Sequence, residues 1–416
     1  MPIDTLSVKR GPGYREFIAL MAVMISITAL SMDIMLPALP DIGRDLGARH
    51  PNDAQLVVSI LLLGMGIGQI FFGPLSDCYG RKPIIFAGFT IFTMGCLLSI
   101  FSTQFGVMLA GRVMQGIGAA GPRTAIVALI RDQYGGRAMA RIMSAVMAVF
   151  IIVPAIAPAL GQAILLIASW RAIFGALMAQ GLISLTWFTI RQPETLLRER
   201  RIPFSVKRIM TGAVEVFTNR VSLGYSLAAG FIFGAFLAYL NCAQQIFQEV
   251  YGLGRQFPLY MGILALAVGA AAFLNSRIVM RFGMRSLSYR AILLFIMLMA
   301  FFLTATFKMG GHSPLWLLML CFSMAFFCLG ILFGNLNAIA MEPLGHIAGV
   351  GAAVVGSFSN LISVPLAIVI GRYYNGTTLP LICGFVTLSI FTVITMRGAD
   401  TSRQSENIRS HPPIIR

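Results

Sequence analysis

The sequence predicts an all-α integral membrane protein with twelve transmembrane helices arranged as two pseudo-symmetric six-helix bundles. Three observations carry that expectation. Of the 416 residues, 57% are hydrophobic and only 11% charged, whereas an average soluble domain carries about 25% charged residues. Together with a mean hydropathy of +0.84, this excludes a soluble globular enzyme. The apolar residues fall in continuous runs near the roughly 20-residue length that crosses a bilayer, not in the alternating segments of about ten residues that build membrane barrels. A charged, proline-containing stretch then divides those runs six and six.

Before that stretch the runs lie near 17 to 39, 55 to 72, 83 to 101, 105 to 130, 138 to 162 and 171 to 190; after it they lie near 221 to 245, 258 to 276, 291 to 307, 314 to 340, 347 to 370 and 379 to 396. The first follows Lys9, Arg10 and Arg15 and exceeds the 7 to 15 apolar residues of a secretory signal, so it reads as a retained helix. Five of the six cysteines lie inside apolar runs, and none forms a CxxC, so they read as small apolar residues without a disulfide or metal role. The organisation expected is a first bundle over 1–190, a cytoplasmic linker over 191–220, a second bundle over 221–396 and a cytoplasmic tail over 397–416.

In a soluble chain the net charge of +16 would suggest nucleic acid; in a membrane protein it reads out topology, and no nucleic-acid partner is expected. With the spans alternated from side to side, one side collects 23 of the 31 basic residues, including those of both termini and seven between Arg191 and Arg220. Both termini are therefore expected in the cytoplasm. A weak internal repeat supports duplication: the segment from Gly73 to Lys82, after the second span, matches that from Ser276 to Arg285, with Gly80 opposite Gly283, Lys82 opposite Arg285 and Asp77 replaced by Met280. Paired six-helix halves are one arrangement in which secondary transporters handle substrate near the midplane.

Between the second and third spans, Gly73, Leu75, Asp77, Gly80, Arg81 and Lys82 stand in a turn of about ten residues holding one acid and two bases. The glycines permit a tight reversal, and Asp77 is placed to accept N–H bonds and to pair with a base, which would latch helix ends together. The alternative is a basic turn without a gating role.

This segment resembles the loop signature of the major facilitator superfamily. Arg112, Gln115, Gly116 and Gly118 resemble the fourth-helix signature of its drug/proton antiporters, and Pro154, Pro158 and Gly161 resemble the fifth-helix antiporter motif, although that pattern has glycine where Ala157 and Gln162 stand. The chain is most similar to the bicyclomycin and chloramphenicol resistance branch of multidrug efflux proteins. That similarity rests on Asp33 to Pro40, Arg131-Asp132, Ser169-Trp170-Arg171, Pro193-Glu194-Thr195-Leu196, Met341-Glu342-Pro343 and Tyr374-Asn375-Gly376-Thr377. It implies a drug/proton antiporter of the inner membrane that exchanges small-molecule drugs for protons by alternating access. It implies no cofactor, the proton gradient supplying the energy, and a monomer surrounded by lipid.

The residues point the same way independently. Of fifteen acids, Asp33 alone lies inside an apolar span, where an ionisable side chain is costly, about 3 kcal/mol by insertion scales, and is a functional candidate. It sits about 24 Å along the first span at 1.5 Å per residue, and Arg112 enters the fourth from the opposite side to a similar depth. Asp33 is thus expected as the proton switch with Arg112 as its nearby cation, each biasing the other's charge state; a structural ion pair is the alternative. The positions one and two turns before Asp33 hold Ala29, Leu30 and Ile25, so coupling would rest on one carboxylate. Gln115, one turn from Arg112, would hold the arginine or line the cavity, and Arg123 would snorkel.

For substrate, Asn241, Gln245 and Gln248 recur at i, i+4 and i+7, in line with Gly234 and Ala238 and flanked by Phe233, Phe236 and Tyr239. A mixed amide and aromatic wall suits bulky neutral or weakly charged compounds, while small residues and amides also pack membrane helices together. Pro154 and Pro158, with Gly161 beyond, form a hinge or seal toward the other half, or a static kink. No Walker-type GxxxxGK[ST], HExxH or GxSxG occurs, so no ATP site or enzyme chemistry is visible. Metabolite transport on the same fold and ligand sensing without transport are the rival readings.

Overall fold

The computed structural model describes residues 12–410; Lys9, Arg10 and the segment 411–416 lie outside the described residues. The described chain is helical, with no strand among the described residues. The long helices are α1 (Tyr14–Asp33), α3 (Leu56–Tyr79), α4 (Arg81–Ile100), α5 (Phe105–Gln133), α6 (Gly136–Leu165) and α7 (Arg171–Arg191), then α9 (Arg220–Gln244), α10 (Phe257–Phe282), α11 (Met284–Lys308), α12 (Leu315–Met341), α13 (Ala348–Arg372) and α14 (Leu379–Ser410). Two short helices, α2 (Leu39–Asp45) and α8 (Val206–Thr218), stand between them. All six cysteines are free.

Each long helix coincides with an apolar run, and the differences fall at the ends. The first run breaks after Asp33 into the turn Leu36–Ala38 and then α2. Pro37 causes this, because it has no N–H for the helical ladder and its ring would meet the carbonyl of Asp33, four residues earlier. Asp33 is therefore the last residue of α1. At the other end of the chain α14 runs on past residue 396 to Ser410, so the expected tail begins as helix.

Packing joins α5 to α3 and α4, α1 to α6 and α7, α9 to α12, α13 and α14, and α10 to α12. Two long seams cross between the first six spans and the last six: α3 against α13, and α6 against α10. The end of the molecule at which α1 begins and α14 finishes, and where α8 lies, is the basic end, and its opposite the far end. Gly80 and Gly283, matched in the repeat, each stand alone between two helices with positive φ, +107° and +76°.

Candidate functional site

At the basic end, Gly80 turns the chain so sharply that α4 begins at the next residue. Arg81 is 3% exposed and binds carboxylates from two helices: its Nη1 donates to Asp77 at 2.6 Å and its Nε to Asp132 at 2.8 Å, with Ser76 Oγ at 3.0 Å. The backbone N–H groups of Arg81 and Lys82 donate to Glu194, each at 3.0 Å, so that carboxylate caps α4 where the helix dipole favours an anion. Lys82 Nζ in turn caps the end of α7 through the carbonyls of Thr189 and Gln192. The Gly73–Lys82 segment, which is not the expected ten-residue turn but the end of α3, Gly80 alone and the start of α4, thus ties α3, α4, α5 and α7 together. It also reaches across to the last six spans: Gly73 faces Ala353, a side chain at Gly349 would begin 3.9 Å from Asp77 Oδ2, and Leu75 is half-buried on the core. Asp132 and Glu194 were visible in the sequence only as parts of similar segments; an acid directly beyond a span end, in a basic stretch, is the signal that marks them.

The second half has a corresponding cluster. Arg285 binds Glu342 at 2.8 Å and Asp400 at 3.1 Å, and Asp400 also accepts from Tyr225 and Tyr289. Its sequence counterpart was Lys82, yet its bonding is that of Arg81.

Deeper in the first half, Arg112 is fully buried. Its guanidinium donates to Val57 O at 2.7 Å, Gln115 Oε1 at 2.7 Å and Ser31 O at 2.9 Å, with Phe174 beneath it at 6.0 Å. The expected pairing with Asp33 is not made. The depths agree but the faces do not: Arg112 reaches α1 at Ser31, and residues two apart on a helix point to nearly opposite sides. Gln115 is likewise removed from any cavity wall, because its amide nitrogen donates to Gly95 O and Ser99 Oγ while its oxygen holds Arg112. Arg123 lies against Phe150 and Met65.

Asp33 is 3% exposed and its Oδ1 has no hydrogen-bond partner. The turn Leu36–Ala38 that follows it packs on α9 of the other half, the helix that carries Tyr239. Tyr239, Phe236 and Phe233 form a continuous aromatic cluster with α12, Tyr239 to Phe326 at 4.6 Å, Phe236 to Phe333 at 5.5 Å and Phe233 to Phe333 at 6.0 Å. Beside Asp33, the fifth-helix motif touches the α6–α10 seam and the break of α1. Ala155 O faces Gly262 of α10, and Gly161 lies directly on the carbonyl of Ile34, with Pro37 next to it; Pro154 is half-buried and Pro158 buried. A Cβ at Gly161 would overlap Ile34 O. Gly161→Val is therefore expected to push α6 off the α1 break, at about 1–3 kcal/mol of overpacking, with a fall in melting temperature and loss of solute flux in proteoliposomes. Wild-type flux in that variant would refute the contact's importance.

Asn241 and Gln245 stand in a hydrogen-bonded seal at the far end and also line the pocket there. Ser59 donates to Asn241 at 2.9 Å, Gln55 to Gln245 at 2.5 Å and Gln245 to Asn52 at 2.8 Å, while Asn52 also donates to the carbonyls of Arg372 and Tyr374. Gly234, lower on the same stripe, packs on Ser363 of α13, so the packing alternative accounts for that end. The seal's α9 residues enter a π-turn, Gln245–Val250, and above it lies a pocket of about 280 Å³ lined by His50, Gln55, Gln244 and Glu249 among others. Gln245→Ala removes two bonds of about 1 kcal/mol each. It is expected to raise labelling of the buried thiol Cys242 by an impermeant maleimide about tenfold; an unchanged rate would show that the amides do not close this end.

Residues 21–368 match the family model described as Major Facilitator Superfamily. The chain is 30% identical over 363 residues to the Bacillus subtilis protein YdgK, named an MFS-type transporter, covering 86% of this chain and 89% of that one. It is 28% identical to a Haemophilus influenzae bicyclomycin resistance protein homolog, over 92% and 96% of the two chains, and 26% identical to Multidrug resistance protein D of Escherichia coli, over 85% and 87%. Among solved structures, the xylose transporter XylE of E. coli in a partially occluded inward-open conformation has a TM-score of 0.70 at 14% identity, covering 92% of this chain and 98% of that one; it shares the fold.

Proposed function

The chain belongs to the Major Facilitator Superfamily, and from that premise we propose that it is a proton-coupled multidrug exporter. It is a multi-pass inner-membrane transport protein, not an enzyme, and has relatives named for bicyclomycin and multidrug resistance. One observation carries the finer reading: a buried carboxylate, Asp33, stands at the break of α1 with an unbonded oxygen, just before the turn on which both the first-half antiporter-like motif and α9 of the second half pack. An ionised carboxylate in such a place is costly, and a drug seated on the aromatic cluster that donates hydrogen bonds to it would favour its ionised form, so proton and drug compete. Arg112 supports the site by fixing α1, α3 and α5 around it rather than by pairing with Asp33. Asn241 and Gln245 act in this reading as a gate that opens to release substrate.

In the same reading residues 1–190 and 221–396 are the two rocking bundles, joined by 191–220 and followed by the segment 397–416, with both termini cytoplasmic. The protein works as a monomer and needs no cofactor beyond the proton gradient. The test is flux in proteoliposomes under an imposed pH gradient, with a phenicol or bicyclomycin as substrate. Gradient-driven export of drug with proton counterflow is expected; flux of drug independent of the gradient would sink the antiport reading.

A further inference from the structure

We propose that α8 and the arginines before it form a docking surface for anionic phospholipid headgroups of the leaflet at the basic end. On a helical wheel, Val216, Ile209, Ala213, Val206, Phe217, Met210 and Val214 cover an apolar arc of about 160°. Only part of that arc meets protein. Ile209 and Val216 are buried, and Gly212 lies against Val350 of α13. The remainder is bare: Val206 is 61% exposed, Met210 59%, Val214 56% and Phe217 42%, although Phe217 also meets Phe358 edge-on. Four large apolar side chains in one stripe are not left in water without a partner.

The helix's attachment identifies that partner. α8 ends at Thr218 and the membrane-spanning α9 begins at Arg220, with Asn219 alone between them capping α9 through Val221 N and Ser222 N. The stripe is therefore tied to the membrane boundary. A helix with one apolar face, a charged opposite face and basic residues at the border lies in the interface with its stripe at the headgroup–acyl boundary. Lys207 and Arg208 follow the stripe's first residue, and Arg198 and Arg200 precede it; all four are exposed, and none is in an ion pair with another described residue. The stretch from Arg191 to Arg220 holds seven bases against three acids, and one of those acids, Glu215, already faces His346 at 2.7 Å. This excess complements a negatively charged leaflet.

The inference does not depend on what the protein carries. Its test uses the full chain with Cys78 and Cys383 changed to serine and a nitroxide at Met210→Cys or, on the polar face, Thr211→Cys. The protein is reconstituted in nanodiscs of phosphatidylcholine alone or of equal phosphatidylcholine and phosphatidylglycerol. In the mixed lipid, the label at 210 is expected to collide readily with oxygen and to be shielded severalfold from a water-soluble nickel chelate, with the reverse at 211. In pure phosphatidylcholine that shielding should fall, and Lys207→Gln with Arg208→Gln should abolish the difference between lipids. Equal nickel access at 210 and 211 would overturn the proposal. So would shielding at 210 from both probes, which means a protein segment covers the stripe, or shielding that ignores phosphatidylglycerol, which removes the headgroup from the account.

Discussion

Asp33→Asn is expected to abolish proton release on drug binding while leaving binding itself in place. Asparagine keeps the size and polarity of the side chain at the end of α1, so the break imposed by Pro37 and the contact of Gly161 with Ile34 O survive the change. What it loses is the ability to gain or shed a proton. Because proton and drug compete in the proposed cycle, drug affinity of the wild type should rise with pH, by at most about tenfold per unit, the limit for a single linked proton. The affinity of the variant should be flat across the same range, and its gradient-driven flux should fall to background. Calorimetry in two buffers of different ionisation enthalpy measures both affinity and proton count; a variant that still releases a proton would place the switch elsewhere.

The second large effect is expected at Arg112. Arg112→Met preserves bulk but takes the guanidinium donors away from Gln115 Oε1, Val57 O and Ser31 O in a fully buried site. An orphaned buried acceptor costs about 1–3 kcal/mol; Val57 O lies inside α3 and keeps its helical N–H, whereas Ser31 O in the last turn of α1 and Gln115 Oε1 lose their donor, so a total of about 2–6 kcal/mol is expected, enough to lower the yield of folded protein. Arg112→Lys is expected to rescue little. One ammonium on a flexible stem cannot present donors in the three fixed directions of the guanidinium fork. Thermal unfolding in detergent checks this, and a lysine variant as stable as wild type would mean that charge alone holds these helices.

These two residues also show what can and cannot be read from the sequence. Apolar run length located every span, because lipid imposes one length on all of them. It also singled out Asp33 and Arg112 as charges in lipid. Residue counting gave depth along each helix but not the face, so Ser31 took the place expected for Asp33. The break after Asp33 was readable from Pro37 yet hidden by the apolar residues on both sides of it. Asn241 and Gln245 stood out as polar residues in line, but their partners Asn52 and Gln55 lie some 190 positions away. Nothing local in a sequence reports a contact of that range.

The bonding of Asp400 bears on biosynthesis. Arg285, Tyr225 and Tyr289 all depend on a carboxylate that follows every one of them in the chain by more than a hundred residues. When α9 and α11 enter the bilayer that aspartate has yet to be synthesised, so both phenols lack this acceptor and Arg285 gains Glu342 first. The second half can lock only once α14 has been made, whereas Glu194 reaches Arg81 before any helix of the second half exists. Assembly is thereby ordered from the first half to the second, and a premature stop just before codon 400 would yield twelve inserted helices whose final set never closes.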